Sequence, residues 1–97
     1  MFRHVVVFRW KDEASEEARS RVAAELGRLP GIIGEIRRYE MGADAGVNEG
    51  TFDFALVADF DGVDDYLVYR DHPEHRRVIA EFIAPIVAER ASVQYEV

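Results

Sequence analysis

From Phe2 to Trp10 the chain alternates with the period of a strand. His4, Val6, Phe8 and Trp10 fall on one face, and Val5 and Val7 fall on the other between Arg3 and Arg9. Both faces are apolar at the centre, so both are expected to be buried. After a polar turn from Lys11 to Ala14 the period lengthens. Ser15 is placed to cap a helix, and Glu16 and Glu17 fall in its first turn, where the helix dipole favours acids. Ala18, Val22, Leu26 and Leu29 then recur at helical spacing until Pro30-Gly31 ends the helix. A second strand is predicted within Ile32 to Met41, from about Gly34, and the glycine-rich stretch Gly42 to Gly50 predicts a hairpin loop. The third strand is Thr51 to Phe60. Phe52, Phe54, Leu56, Ala58 and Phe60 form one face, and Asp53, Ala55, Val57 and Asp59 form the other.

Asp61-Gly62 breaks that strand, and Val63 to Arg70 reads as a short helical segment. Pro73 suits the first turn of a further helix, because its missing N–H has no intrahelical acceptor there. Val78, Ile79, Phe82, Ile83, Ile86 and Val87 give that helix a broad apolar face. Pro85 lies inside the pattern and is expected to kink or split the helix by removing the bond to the Glu81 carbonyl. Ser92 to Val97 alternates again as a final strand.

The order is β-α-β-β-α-β, which predicts an α+β chain with a ferredoxin-like antiparallel sheet and one domain over residues 1–97. Right-handed crossovers place the helices on one face of the sheet. Val5, Val7, Ala55 and Val57 then lie on the opposite face with no helix left to cover them. An apolar patch of that kind marks an interface. A second copy, sheet against sheet about a two-fold axis, covers it most simply. A homodimer is therefore expected.

Composition narrows the function. Of the 97 residues 48% are hydrophobic, enough for a packed core. There is no cysteine, so disulfides, thiolate nucleophiles and cysteine-ligated zinc are excluded. The net charge of −7, from 12 basic and 19 acidic residues, repels phosphate backbones and argues against nucleic acid as a partner. Met1-Phe2-Arg3 leads directly into a strand whose apolar run is broken by Arg9, too short for a signal-peptide core or a membrane span. The chain is expected to be soluble and cytoplasmic.

The candidate chemistry sits in Tyr69-Arg70-Asp71-His72-Pro73-Glu74-His75, with the remaining histidine, His4, in the first strand. His4-Val5-Val6-Val7-Phe8, Phe52-Asp53-Phe54-Ala55-Leu56-Val57, and Tyr69 ahead of His72-Pro73-Glu74-His75 resemble the stress-responsive dimeric α/β-barrel domain family over nearly the whole chain. The His-Pro-x-His element before an apolar helix is the most specific part of that resemblance. It implies a ferredoxin-like fold whose dimer closes a barrel from two sheets. Olivetolic acid cyclase-like members close a linear polyketide thioester by aldol condensation. Their essential pair is a tyrosine and the second histidine of the His-Pro-x-His element, matched here by Tyr69 and His75, and their first-strand histidine is matched by His4. A pocket tyrosine of their first helix is not matched; the nearest position here is Leu26.

On this reading His75 is the general base, because a neutral imidazole near a helix start can take a proton from an activated carbon. Tyr69 donates a hydrogen bond to the carbonyl as it becomes an enolate. His4, His72 and Tyr66 bind substrate. No cofactor is required. A metal site is disfavoured, since Pro73 separates His72 from His75 and no carboxylate pair lies near. The competing reading is structural: His72 caps the helix, His75 packs beneath it and Tyr69 fills the core. Two functions stay open, a cofactor-independent enzyme of cyclase or lyase type acting on a small hydrophobic carbonyl compound, and a non-enzymatic dimeric domain that binds a small apolar ligand or serves in stress. A third, a monooxygenase or haem-degrading barrel, has little support, because Asn48, the only asparagine, falls in a loop.

Overall fold

In the computed structural model, which describes all 97 residues, the strand β1 (Phe2–Trp10) runs through the middle of the molecule. Its alternation does what the sequence predicts. His4, Val6, Phe8 and Trp10 are buried under the helices, and the residues between them are only half covered. The helix α1 (Glu16–Leu26) starts at Ser15, whose hydroxyl accepts the Ala18 N–H at 3.1 Å, and it buries Val22 and Leu26. The remaining elements are β2 (Arg38–Ala43), β3 (Phe54–Phe60), α2 (Val63–Asp71), α3 (Pro73–Val78) and β4 (Val87–Glu96). The sheet order is β2-β3-β1-β4 with every neighbour antiparallel, the ferredoxin-like arrangement. One buried cluster joins the inner sheet face to Val22, Leu26, Leu29, Tyr69, Val78 and Ile83. No helix is long and apolar enough to cross a membrane.

Several element boundaries differ from the sequence reading. β2 begins at Arg38 rather than near Gly34, because Leu29–Gly31 forms a tight 3₁₀ turn and the Ile33 N–H still bonds back to the Leu29 carbonyl at 2.8 Å. Ile33 is thereby sunk into the core before any strand pairing starts. β3 begins at Phe54 rather than Thr51. Asp53 turns its carboxylate onto the Trp10 N–H at 2.8 Å, which interrupts the alternation. Phe52 consequently leaves the core stripe, and its ring carries the Arg9 guanidinium 4.4 Å from its centroid. The third difference concerns Pro85. The helical run ends in a π-type turn, Ile79–Ile83, with the Ala84 N–H on the Ile79 carbonyl at 2.8 Å, so Pro85 lies beyond the helix rather than kinking it. β4 then starts at Val87, well before Ser92, and pairs with the whole length of β1.

The outer face of the sheet carries no helix. Val5 pairs with Val57 on one side and Val93 on the other, and Val7 pairs with Ala55 and Ala91. Val93 is 56% exposed and Tyr95 46%, so the apolar ladder is open to solvent in the single chain. At its end Arg3 grips Asp59 in a two-pronged ion pair, with Nε–Oδ1 2.7 Å and Nη2–Oδ2 2.8 Å.

That pair makes acid stability testable. The Arg3 guanidinium holds the Asp59 carboxyl below its ordinary value of 3.8. A group depressed in the folded state stabilises above its unfolded pKa and loses that contribution as the pH falls through the folded pKa. Asp59→Asn is expected to lower the unfolding free energy near neutrality by about 1.5–3 kcal/mol, the range for a hydrogen bond to a charged group. The gap from wild type should narrow in acid below 3.8. Denaturant unfolding at both pH values checks this; a gap that is absent near neutrality or undiminished in acid contradicts it.

Candidate functional site

The site is made by a break in the chain. α2 would continue if residue 73 could donate to the Tyr69 carbonyl, but proline has no N–H. Proline also drives the preceding residue out of the helical region, and His72 sits at φ −61°, ψ 135°. Two carbonyls of the last turn of α2 therefore find other donors. Tyr69 O accepts the His72 N–H at 3.2 Å. Arg70 O would have taken the Glu74 N–H, but that N–H goes to Nδ1 of His72 at 3.1 Å, which caps α3. Arg70 O is left for the side chain of His75, whose Nδ1 lies 3.0 Å away.

A carbonyl oxygen can only accept, so Nδ1 of His75 carries the proton. In the neutral ring Nε2 then holds a free lone pair. Burial is the main force pushing the His75 pKa below 6.5, with the charges of Arg76 and Arg90 acting in the same direction against the carbonyl bonds that raise it. The ring stacks on Tyr69 with centroids 4.1 Å apart and planes 28° from parallel. Tyr69 is fully buried, and its hydroxyl lies 2.9 Å from that of Tyr39 on β2. Burial raises Tyr39 to about 12 and holds Tyr69 above the ordinary phenol range. Both phenols stay protonated at neutral pH.

His4 approaches from β1. Gln94, its partner across the β1–β4 ladder, donates from Nε2 to His4 Nδ1 at 2.8 Å, which places the imidazole proton on Nε2. The pKa of His4 is pushed down to about 4, first by burial and then by the charge of Arg90, so the ring is a neutral donor. His4 Nε2 has no protein partner, and no buried side-chain nitrogen or oxygen is left unsatisfied, so this N–H is open to the space beside it.

That space is a cavity of about 380 Å³ between the sheet and the helices. Ten of its fifteen lining residues are hydrophobic, with Val6, Phe8, Leu26, Leu56, Ile79 and Ile83 as walls, so it suits an apolar body. The other five are His4, His75, Arg70, Arg76 and Arg90. Tyr69 and Tyr66 also line it, and the Tyr66 ring lies 5.1 Å from that of His4. The structure thus gathers His4, Tyr66, Tyr69 and His75 around one hollow. His72 is not among the lining residues; it is the helix cap described above. A second hollow of about 420 Å³ lies between the start of α1 and the β2–β3 end, lined by Glu16, Arg19, Asp44 and Asp53 among others. It holds none of the histidines, and Asp53 there is already committed to the Trp10 N–H. No three histidine, aspartate or glutamate side chains converge as a metal site.

Three residues of the site were not singled out from the sequence. Tyr39 faces inward because it pairs with Ala58, and strand alternation alone would have placed it there. Gln94 pairs with His4 and shares its inward side, as the alternation within Ser92–Val97 already places it; Arg90 pairs with Phe8 on the same side, which required the true start of β4.

The comparisons with known proteins agree with this fold. A dimeric ferredoxin-like protein of unknown function from Thermobifida fusca YX is 43% identical, covers 99% of this chain and 90% of its own, and superposes with a TM-score of 0.91. A dimeric protein of unknown function from Bacteroides fragilis NCTC 9343 is 33% identical over 99% of this chain and 95% of its own, with a TM-score of 0.81. A hydroxynitrile lyase from Passiflora edulis is 25% identical over 99% and 92%, with a TM-score of 0.86. No curated protein sequence matches significantly. The family model described as the stress responsive A/B barrel domain matches residues 2–97, and the chain belongs to that family.

Proposed function

We propose that this protein is a cofactor-independent enzyme of cyclase or lyase type that moves a proton on a small hydrophobic carbonyl compound, with His75 as its base. The observation that carries this reading is the bond from His75 Nδ1 to the Arg70 carbonyl beside an apolar cavity. It fixes the tautomer, and burial keeps the ring neutral, so Nε2 is ready to accept a proton. The proton leaves the carbon beside the substrate carbonyl, and its electron pair passes to the carbonyl oxygen as an enolate. His4 Nε2–H is a donor for that oxygen. Tyr69 is a second one when Tyr39 donates to it, since its own O–H is then free; if Tyr69 donates to Tyr39, that proton is occupied. The hydroxynitrile lyase among the relatives supports the view that this fold houses a lyase. Substrate binding is assigned to His4 and Tyr66, and not to His72.

A second reading is a domain that binds an apolar ligand without turning it over. The full burial of Tyr69 and its bond to Tyr39 favour it, because both suit a structural phenol.

A series of β-keto acids and polyketide-like thioesters separates the two. His75→Ala is expected to lower turnover by about 10²–10⁴-fold, the usual weight of a general base. Tyr69→Phe should keep the stack on His75 and lose part of the rate. Turnover that survives in His75→Ala contradicts the mechanism. Saturable binding with no turnover across the series establishes the second reading.

We also infer that two copies pair through the outer sheet face, where Val5, Val7 and Val57 are half covered and Val93 is exposed. The dimeric relatives support this. Obligate interfaces of this type bury roughly 2,000 Å² or more. Val7→Asp and Val57→Asp place a charge in it, and each is expected to give monomers or unfolded protein. Light scattering that returns a monomer mass for the wild type at micromolar concentration overturns the inference.

A further inference from the structure

The charge around the cavity does not match the charge of the chain. The protein carries −7 overall, yet none of the residues lining the cavity is a carboxylate, and three of them are arginines. Most arginines of this protein hold an acidic partner. Arg70 is one of these, with Nε and Nη2 on the Asp71 carboxylate at 2.9 and 3.1 Å. Arg76 and Arg90 hold none.

The position of Arg90 follows from the ladder. It pairs with Phe8, so its side chain leaves β4 on the helix side of the sheet, the same side as Gln94 and His4. Arg90 lines the cavity together with His4 and His75, and its charge disfavours protonation of both rings. Neither imidazole can balance it, since a histidine ring is neutral or cationic. An unpaired guanidinium beside apolar walls is matched by a planar anion that accepts two parallel N–H bonds.

We propose that the cavity takes an apolar carboxylate, with its carboxylate held by the guanidinium of Arg90, Arg76 beside it, and its body against Val6, Phe8, Leu26 and Leu56. This rests on the reading of the cavity as a small-molecule site and narrows the substrate class to hydrophobic carboxylic acids that also carry the reacting carbonyl. A carboxylate anchored at Arg90 fixes one end of the substrate and leaves the rest of it to His75 and His4. Arg90 is in this view a binding residue that sets specificity.

Cinnamate, its neutral isostere cinnamamide, and inorganic phosphate test this by calorimetry or by chemical-shift titration on the wild type, Arg90→Gln, Arg90→Lys and Arg28→Gln. Arg28 lies away from the cavity, paired with Glu25, and serves as the control. Cinnamate is expected to bind the wild type about tenfold or more tightly than cinnamamide, the scale of one charge-assisted bond. Arg90→Gln should erase that preference and leave cinnamamide binding unchanged. Arg90→Lys should restore part of it, while Arg28→Gln should have no effect. Phosphate should not compete, because it lacks the apolar body. Equal binding of acid and amide to the wild type overturns the carboxylate assignment but leaves the cavity as a binding site. Undiminished cinnamate preference in Arg90→Gln overturns the role of Arg90, and competition by phosphate at equal concentration overturns the apolar-acid class. Failure of both cinnamate and cinnamamide to bind the wild type overturns the cavity reading and this proposal together.

Discussion

The site depends on the missing N–H of Pro73. The absent donor ends α2, the proline ring forces His72 into an extended conformation, and the Tyr69 and Arg70 carbonyls are left to be satisfied locally. His72 takes the Glu74 N–H on its ring, which keeps Arg70 O available to His75. The same break sets the axis of α3, so that the last turn of one helix and the first turn of the next bring Tyr69 and His75 into a stack. Each of these bonds is ordinary in strength. Their joint effect is an imidazole with one nitrogen fixed as donor and the other left as acceptor.

The sheet separates two jobs by alternation. Inward positions of β1 supply His4 and the cavity walls, and outward positions supply Val5 and Val7 to a bare apolar ladder. A one-residue slip in β1 would exchange the two sets, so the register protects the site and the outer face together. Around the cavity, burial holds His4, His75 and Tyr69 neutral, while a guanidinium is always cationic. The cavity is thus apolar in its walls and cationic at one end.

Much of this was legible in the residues. The double-faced apolar strand at Phe2–Trp10 and the proline between two histidines are local signals, and both the sheet order and the neighbourhood of Tyr69 and His75 follow from them. Long-range pairing was not legible. Ile86 and Val87 fit a helical stripe as well as a strand, and only the ladder with β1 decides for β4. With β4 started too late, Arg90 had no face and the cationic end of the cavity was invisible. Phe52 misled for a related reason: its alternation with Phe54 is broken by one side-chain bond, from Trp10 N–H to Asp53, which no periodicity records.

The central claim is the protonation state of one ring, and nitrogen NMR of ¹⁵N-histidine-labelled protein reads it directly. The account predicts that His75 is neutral near pH 7 with its proton on Nδ1, that Nε2 is the nitrogen that titrates, and that it does so below 6.5. A proton on Nε2 in the neutral ring, or a ring that titrates above 6.5, would contradict it.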